Sequence, residues 1–269
     1  MRPGGAFELR ENAGQATVLV SPALTVPGVR HAFSTRRGGV SPAPCDSLSF
    51  GLAAGNPEAA WRTNAERLAA RVGLGAEALH CARQVHGTRV LEVPAGADPA
   101  ATRAESADAL VTARPGTMVG VFTADCVPVL LADAEAGVVA AVHAGWRGLS
   151  AGVIEAAANR MVVRHGARPE RLRAAIGPCI GPCCYEVGPE VVEAFAALPR
   201  AVRSGGAGRP HVDLAVGAEE VLLRLGVLPA HLGRAELCTR CLPELFFSYR
   251  RDGERAGRQL SVVALCGPA

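Results

Sequence analysis

Residues 138 to 148 carry the clearest structural signal in this chain and read Val138-Val139-Ala140-Ala141-Val142-His143-Ala144-Gly145-Trp146-Arg147-Gly148. Its small apolar residues predict a buried strand, and a helical pattern begins near Leu149 after the Gly-Trp-Arg-Gly turn. His143 stands where the strand gives way to the turn. Ligands and catalytic groups concentrate at such strand ends in layered α/β proteins, so we expect His143 to lie in a functional site.

Two other segments also end in a residue that can bind a metal ion or take part in catalysis. His86 precedes a glycine that permits a tight turn, and Cys126 follows Asp125 between two β-like runs. Taken singly, His86 could be a hydrogen-bonded turn histidine and Cys126 a buried core thiol. Taken with His143, they predict a site of two imidazoles and one thiolate. Three protein ligands with an open fourth position are typical of catalytic zinc sites.

The hydrophobic periodicity along the rest of the chain predicts short strands and four helices. The predicted strands cover residues 29–35, 79–85, 88–93, 109–112, 118–122, 127–131, 137–142, 172–176, 245–249 and 260–265. The predicted helices cover residues 57–72, with Asn56 as the cap, and residues 149–164, 189–198 and 217–225. Strands outnumber helices and do not alternate strictly with them. This favours an α+β fold, a single layered α/β domain with mixed sheets flanked by helices, over a doubly wound parallel sheet.

Composition narrows the class of protein. The 269 residues are 49% hydrophobic and 20% charged, which is ordinary for a globular chain, and no Pro- or Ser-rich linker divides residues 1–269 into domains. The net charge of +3 gives no indication of a nucleic-acid partner. Every basic residue is arginine, so lysine nucleophiles are excluded while bidentate binding of phosphate is well supplied.

Cysteine usage and the first residues indicate a compartment. The chain has nine cysteines, an odd number. The first residues, Met1–Gly5, lead into polar residues without an apolar segment. No apolar run approaches the ~18 residues that span a bilayer. We therefore expect a cytoplasmic protein with free thiols and no membrane partner. The pattern carries no indication of the oligomeric state.

These segments closely resemble the YfiH-like family, also described as the laccase-domain or multicopper polyphenol oxidase family. The matching stretches are Phe33–Ser41, Gln84–Gly87, Ala107–Thr112, Thr123–Leu130, Val142–Gly148, Ile176–Ile180, Cys184–Val187 and Phe246–Asp252. They occur in the family's order from about residue 29 to 265, while the first 28 residues add little. One departure is Ser49, which stands where the family usually has an asparagine.

The resemblance implies a purine nucleoside phosphorylase with adenosine deaminase activity, in a layered domain related to bacterial toxin deamidases. It implies that His86, Cys126 and His143 bind a catalytic zinc, and that a purine nucleoside and phosphate are the small-molecule partners. Copper could occupy the same ligands adventitiously. The candidate groups for substrate or phosphate are Ser34, Arg36, Arg37 and Arg147, the arginines because they lie in glycine-bearing turns.

Several alternatives remain open at this stage. Asp125 could carry a proton in deamination or orient a ligand imidazole. Cys126 could instead be the nucleophile of a Cys-His hydrolase or amidase acting on peptidoglycan precursors, with His86 or His143 as its base. A copper-dependent polyphenol oxidase is less favoured, because the seven histidines contain no H-x-H pair. A metal-binding protein without enzymatic activity is the fourth alternative.

The remaining cysteines form two sequence clusters. Cys179, Cys183 and Cys184 lie in a Gly/Pro-rich turn, and Cys238 and Cys241 form a C-x-x-C. The C-x-x-C could be half of a structural zinc site or a redox pair. Because the chain has no second C-x-x-C, we expect structural or incidental thiols here.

Overall fold

A computed structural model describes residues 7–51, 56–204 and 208–266. The start of the chain, on which the expectation of no secretory leader rests, lies outside the described residues. The described strands are β1 (Glu8–Arg10), β2 (Val18–Val20), β3 (Val29–Ser34), β4 (Leu79–His80), β5 (Val90–Glu92), β6 (Ala109–Thr112), β7 (Met118–Thr123), β8 (Val127–Asp133), β9 (Val138–Ala144), β10 (Arg173–Ile176), β11 (Val202–Arg203), β12 (His211–Val212), β13 (Leu232–Arg234) and β14 (Gln259–Leu265). The helices are α1 (Glu58–Arg71), α2 (Pro99–Ala104), α3 (Trp146–Ser150), α4 (Val153–His165), α5 (Pro189–Ala194), α6 (Leu214–Arg224) and α7 (Tyr249–Asp252).

Two six-stranded sheets are stacked at the centre of the structure. The first sheet has the order β1-β2-β3-β14-β7-β4, and the second has the order β13-β10-β8-β9-β6-β5. Most neighbours are antiparallel, while β4–β7, β5–β6 and β10–β13 are parallel. The predicted α+β class with mixed sheets and flanking helices is confirmed; the boundaries of a single domain stay a prediction.

The apolar pattern of β9 explains the layering. Val139 and Ala141 pack in the layer between the two sheets, whereas Val138, Ala140 and Val142 pack against α4 and α6 on the other side. A strand covered on both faces is a near-continuous apolar run, as this one is. Because side chains alternate along a strand, His143 falls in the row that faces the first sheet.

The outer face of the first sheet is covered by α1. Trp61 and Leu68 of this helix pack on Ala32, Val262 and their neighbours. Apolar side chains therefore fill three layers, one between the sheets and one under each set of helices, and the removal of this surface from water is the main stabilising contribution.

Two predicted elements are shorter in the structure. The strand expected over residues 79–85 ends at His80, because the chain then leaves β7 and Arg83 pairs with Ser106 instead. The helix expected over residues 189–198 ends at Ala194.

Three further local predictions were wrong. Residues 245–249 are not a strand, because Ser248 caps α7 by accepting a hydrogen bond from the Arg251 amide. The helix expected over 149–164 begins earlier, at Trp146, and is interrupted at Gly152, whose φ of 92° is left-handed. Asn56 does not cap α1; its side-chain amide donates to the Ser49 carbonyl instead.

None of the helices in the part of the chain that the structure describes has the length and apolar character that crossing a bilayer requires.

A buried histidine in β3 makes the stability depend on pH. Nε2 of His31 accepts a hydrogen bond of 2.8 Å from the Ser21 amide, and burial together with nearby Arg10 lowers the pKa of His31 to about 4. The His31 ring is therefore neutral in the folded protein above pH 4. In the unfolded chain His31 has its ordinary pKa of about 6.5 and takes up a proton below that pH. The contribution of His31 to stability is therefore complete above pH 6.5 and is lost as the pH falls toward 4.

We expect the free energy of unfolding to fall by up to about 3 kcal/mol from this group between pH 6.5 and 4. Denaturant unfolding at several pH values measures it. A His31→Gln variant, whose amide oxygen can still accept from Ser21, should show a shallower dependence on pH. An unchanged slope in the variant would contradict the assignment.

Candidate metal centre

The structure brings His86, Cys126 and His143 together, although they are far apart in the sequence. Their ligand atoms all lie within 4.8 Å of one another, a spacing that could hold one metal ion. The two imidazole rings are 4.9 Å apart and nearly perpendicular, and Sγ of Cys126 lies 3.8 Å from Nε2 of His86. His143 is buried while His86 is exposed, so the group sits at the boundary between the core and a cavity.

Neighbouring strands position two of the three side chains. β8 and β9 are antiparallel with Pro128 opposite His143, so the start of β8 lies beside the end of β9. Cys126 directly precedes β8, and this places its thiol next to the His143 imidazole. Asp125, the residue before it, has a φ of 92°, a left-handed conformation that turns the chain sharply between β7 and β8.

His86 lies in a loop that is held in place by the side chains of Gln84 and Asp108. Its own φ is 60°, again left-handed. Gln84 pairs with the backbone of Phe122 through two hydrogen bonds of 2.7 Å, one in each direction. The loop is thereby attached to the edge of β7 just before the turn that carries Cys126.

A buried carboxylate, Asp108, ties the His86 loop to His143. Its oxygens accept from the backbone amides of Val85, His86 and Gly87 at 2.7–3.2 Å and from Nδ1 of His143 at 2.9 Å. Asp108 is fully buried. A carboxylate on Nδ1 selects the tautomer that presents Nε2 and holds the ring still, as outer partners of metal-binding histidines do.

Gly145 leaves room for the three side chains. A Cβ at this position would lie 2.8 Å from Cδ2 of His86 and 3.1 Å from Sγ of Cys126. The glycine after the strand is therefore required by the close approach of the backbone to these side chains.

The electrostatics favour a thiolate. Burial raises the pKa of the Cys126 thiol, but the charge and hydrogen bond of His143, helped by His86, outweigh it and bring the pKa to about 6. Burial lowers the pKa of His143, but the Cys126 thiolate and Asp108 raise it to about 9. Burial also opposes ionisation of Asp108, yet the hydrogen bonds from His143 and Gly87 lower its pKa below the ordinary value. These shifts favour the thiolate form of Cys126 and the imidazolium form of His143 over their neutral forms.

All three side chains line a cavity of about 840 Å³. Its other lining residues are rich in arginine and aromatic side chains. The arginines are Arg83, Arg103, Arg147, Arg250 and Arg258, and the aromatic residues are Phe50, Trp61, Phe122, Trp146, Tyr185 and Tyr249. Asp125 is the only carboxylate among the described lining residues. The cavity is therefore suited to an anionic ligand with a flat apolar part.

Several of these arginines are stacked on the aromatic rings. The guanidinium of Arg147 lies 4.2 Å from the ring centre of Trp146, and that of Arg250 lies 5.1 Å from Tyr185. Such stacking reduces the freedom of the arginine side chain and leaves its N–H groups available at the edge. Burial and the Cys126 thiolate raise the pKa of Tyr185 to about 12, against the influence of Arg250 and Arg147.

Three of the predicted phosphate-binding residues are not in the cavity. Arg36 and Arg37 donate to the carbonyls of Pro243 and Glu244 and so hold the loop at residues 243–244. The Ser34 hydroxyl is buried and accepts from the Leu260 amide between β3 and β14. A glycine-rich turn indicates an accessible backbone but not which surface it faces. Arg147 does line the cavity, and its role in binding phosphate stays a prediction.

Asp125 was predicted either to carry a proton or to orient a ligand imidazole, and its carboxylate has no imidazole as a hydrogen-bond partner among the described residues. Its carboxylate accepts hydrogen bonds of 2.6 Å from Thr239 Oγ1 and from the Arg250 amide. The orienting carboxylate on an imidazole is Asp108. Asp125 still lines the cavity, so its role in proton transfer stays a prediction.

Asp108, Gln84 and Arg250 are site residues that were not predicted from the sequence. All three lie in stretches that matched the family, and Asp108 and Gln84 are polar residues beside apolar strands. A carboxylate in such a position needs a partner, and this signal could have identified Asp108. Nothing in the local pattern around Arg250 indicates a cavity residue.

Known proteins that resemble this chain identify its family. The family model described as multi-copper polyphenol oxidoreductase laccase matches residues 30–266. A purine nucleoside phosphorylase of Deinococcus radiodurans is 42% identical over 251 residues, which cover 92% of each chain. The adenosine deaminase RL5 of an unknown prokaryotic organism is 39% identical over 73% of this chain and 78% of its own. The expectation of an enzyme is thereby confirmed.

A crystal structure of the hypothetical protein YfiH from Bacillus licheniformis superimposes with a TM-score of 0.87 at 30% identity, covering 96% of this chain and 98% of that one. Sequence and structure therefore agree that the chain belongs to the multi-copper polyphenol oxidoreductase laccase family, the YfiH-like family that its motifs indicated.

Proposed function

We propose that this chain is a zinc-dependent purine nucleoside enzyme that cleaves adenosine or inosine, and methylthioadenosine as a further substrate, with phosphate and also deaminates adenosine. The observation that carries the proposal is the convergence of two imidazoles and one thiolate at the wall of an arginine-lined cavity. The names of relatives that cover most of the chain support the same reaction class.

The donor set fits zinc. His86, Cys126 and His143 would hold the ion, because two neutral imidazoles and a thiolate are an accepted ligand set and the open side of the group faces the cavity. When bound there, zinc would act as a Lewis acid and would lower the pKa of a water molecule bound to it to about 7. Asp108 keeps the His143 ring oriented, and the Gln84 pairing holds the His86 loop.

Arg147 and Arg250 are the best-placed groups for phosphate. Both are stacked on aromatic rings and line the same cavity as Cys126, and neither has an ion pair with a carboxylate among the residues that the structure describes. One guanidinium nitrogen of Arg250 donates to the Glu186 carbonyl at 3.0 Å. In phosphorolysis a phosphate oxygen bonds to C1′ of the ribose while the bond from C1′ to the purine nitrogen breaks. The base leaves with the electron pair and takes up a proton. Fixed guanidinium groups hold the attacking anion in position for this exchange.

Asp125 is the proposed proton carrier for deamination. Each carboxylate oxygen that accepts from Thr239 or Arg250 keeps a further lone pair, so it can take a proton from water and return it to departing ammonia.

The aromatic lining residues offer the purine an apolar surface. The nine free thiols fit a reducing compartment, as expected for the cytoplasm.

One observation favours a second candidate, a Cys-His hydrolase. Asp108, His143 and Cys126 are arranged as carboxylate, imidazole and thiolate, and the lowered pKa of Cys126 would make it a nucleophile in the absence of metal. A multicopper oxidase has less support. Among the described residues, one potential metal site contains histidine, and it has two histidines. A trinuclear copper cluster needs many histidine ligands.

The first test incubates the purified protein with adenosine, with and without phosphate. We expect adenine and ribose 1-phosphate only when phosphate is present, and inosine in both cases. A chelator, or a His86→Ala substitution, should abolish both activities. Full activity in chelator that is lost on alkylation of Cys126 would instead establish the hydrolase, and no product from adenosine would refute the proposed reaction class.

The second test separates the two aspartates. Asp108→Asn should raise the free zinc concentration that restores half of the variant's maximal phosphorolysis activity by about 10- to 100-fold, because the partner of the His143 ring is weakened. Asp125→Asn is the matched control and should leave this concentration within a few-fold of the wild-type value. Equal effects of the two substitutions would argue against the assigned role of Asp108.

The third test concerns the phosphate site. Arg147→Gln should raise KM for phosphate by about 10- to 100-fold, the loss of one or two charge-assisted hydrogen bonds, with a smaller effect on deamination. Arg37→Gln removes an arginine outside the cavity and should leave KM unchanged. Steady-state kinetics at varied phosphate concentration distinguish the two, and a change confined to Arg37→Gln would reverse the assignment.

A further inference from the structure

A second group of metal-binding side chains lies outside the residues used so far. The thiols of Cys183, Cys184, Cys238 and Cys241 have their four sulfur atoms within 4.8 Å of one another. Sγ of Cys241 is 3.6 Å from that of Cys183 and 3.3 Å from that of Cys184. The structure thus supplies the partner that the C-x-x-C lacked in the sequence, in the form of two adjacent cysteines.

The two segments that carry these thiols follow the paired parallel strands β10 and β13. Beyond the strands their backbones meet at a parallel bridge between Cys179 and Cys238, where the Thr239 amide donates to the Cys179 carbonyl at 3.0 Å. The amide of Gly181 donates to Sγ of Cys238 at 3.2 Å. An amide that donates to sulfur stabilises thiolate character, as expected for a metal ligand.

The spacing of the sulfur atoms fits a tetrahedral metal ion better than disulfides. With zinc–sulfur bonds of about 2.3 Å, the edges of a tetrathiolate site are about 3.8 Å long. The separations of 3.6 and 3.3 Å from Cys241 lie slightly below this value, and all other sulfur pairs of the group are within 4.8 Å. A disulfide requires about 2.05 Å and pairs the thiols two by two, whereas here Cys241 is close to both Cys183 and Cys184.

We propose that Cys183, Cys184, Cys238 and Cys241 bind a structural zinc ion, separate from the His86–Cys126–His143 group. Four thiolates close the coordination sphere, so this ion holds the two segments together and has no open position for a substrate.

The position of the cysteines links this ion to the wall of the cavity. Tyr185 directly follows Cys184, and Thr239 lies inside the C-x-x-C and donates to the Asp125 carboxylate. Arg250 in turn lies over Tyr185. The cysteine site therefore stabilises the side of the cavity formed by Tyr185 and Arg250.

The test is the zinc content of the full chain, purified under reducing conditions. We expect about two zinc ions per chain, and about one in Cys241→Ser, together with a lower Tm. The matched control is Cys266→Ser, which removes a thiol outside both groups and should keep about two. A wild-type protein with about one zinc ion that Cys241→Ser retains would overturn the proposal, and so would disulfides among the four cysteines.

A second measurement does not depend on the folding of a cysteine variant. His86→Ala removes a ligand of the cavity site and leaves the four cysteines untouched, so its remaining zinc should be the structural ion. X-ray absorption should then show a first shell of about four sulfur atoms near 2.3 Å. Nitrogen or oxygen ligands, or no zinc, would refute the site, whereas the catalytic proposal is judged separately by nucleoside turnover.

Discussion

The candidate site depends on one buried carboxylate, Asp108. It receives the backbone amides of the His86 loop on one side and Nδ1 of His143 on the other, so it joins a loop to the end of a strand. A buried charge without partners would be strongly unfavourable, and here every partner is a donor that belongs to the site itself. The same bonds that allow Asp108 to remain ionised inside the protein also determine where two of the three proposed ligands lie.

The stacked sheets provide the frame on which this carboxylate acts. Because β9 is antiparallel to both β6 and β8, the start of β6, the start of β8 and the end of β9 meet at one edge of the second sheet. Asp108, Cys126 and His143 occupy these three positions. The left-handed conformations of His86 and Asp125 show that the backbone around the site departs from regular geometry, and the hydrogen bonds of Asp108, Gln84 and Thr239 are what hold it there.

Two metal sites of different character would suit the two sides of the cavity. The group with one thiolate and two imidazoles is open to the cavity and is placed for chemistry, while the four-thiolate group is closed and joins two irregular segments. Tyr185 directly follows Cys184 and lines the same cavity as the histidine-containing group, with Arg250 stacked on its ring. The wall of the cavity is therefore continuous with the four-thiolate group through the chain at Cys184 and Tyr185.

Local signals are enough to predict the fold class, most of the strands and the candidate group His86, Cys126 and His143, because apolar runs and the polar residues that follow them are read from neighbouring positions. The same signals point to Arg147 as a cavity residue. They do not show which other polar residues reach the cavity. Arg36 and Arg37 have the same local pattern as a phosphate-binding turn, yet they hold the loop at residues 243–244. The roles of Asp108 and of the four cysteines follow only from contacts across the fold. Tertiary structure decided these, because hydrogen bonds and metal ligation depend on distances between residues that are far apart along the chain.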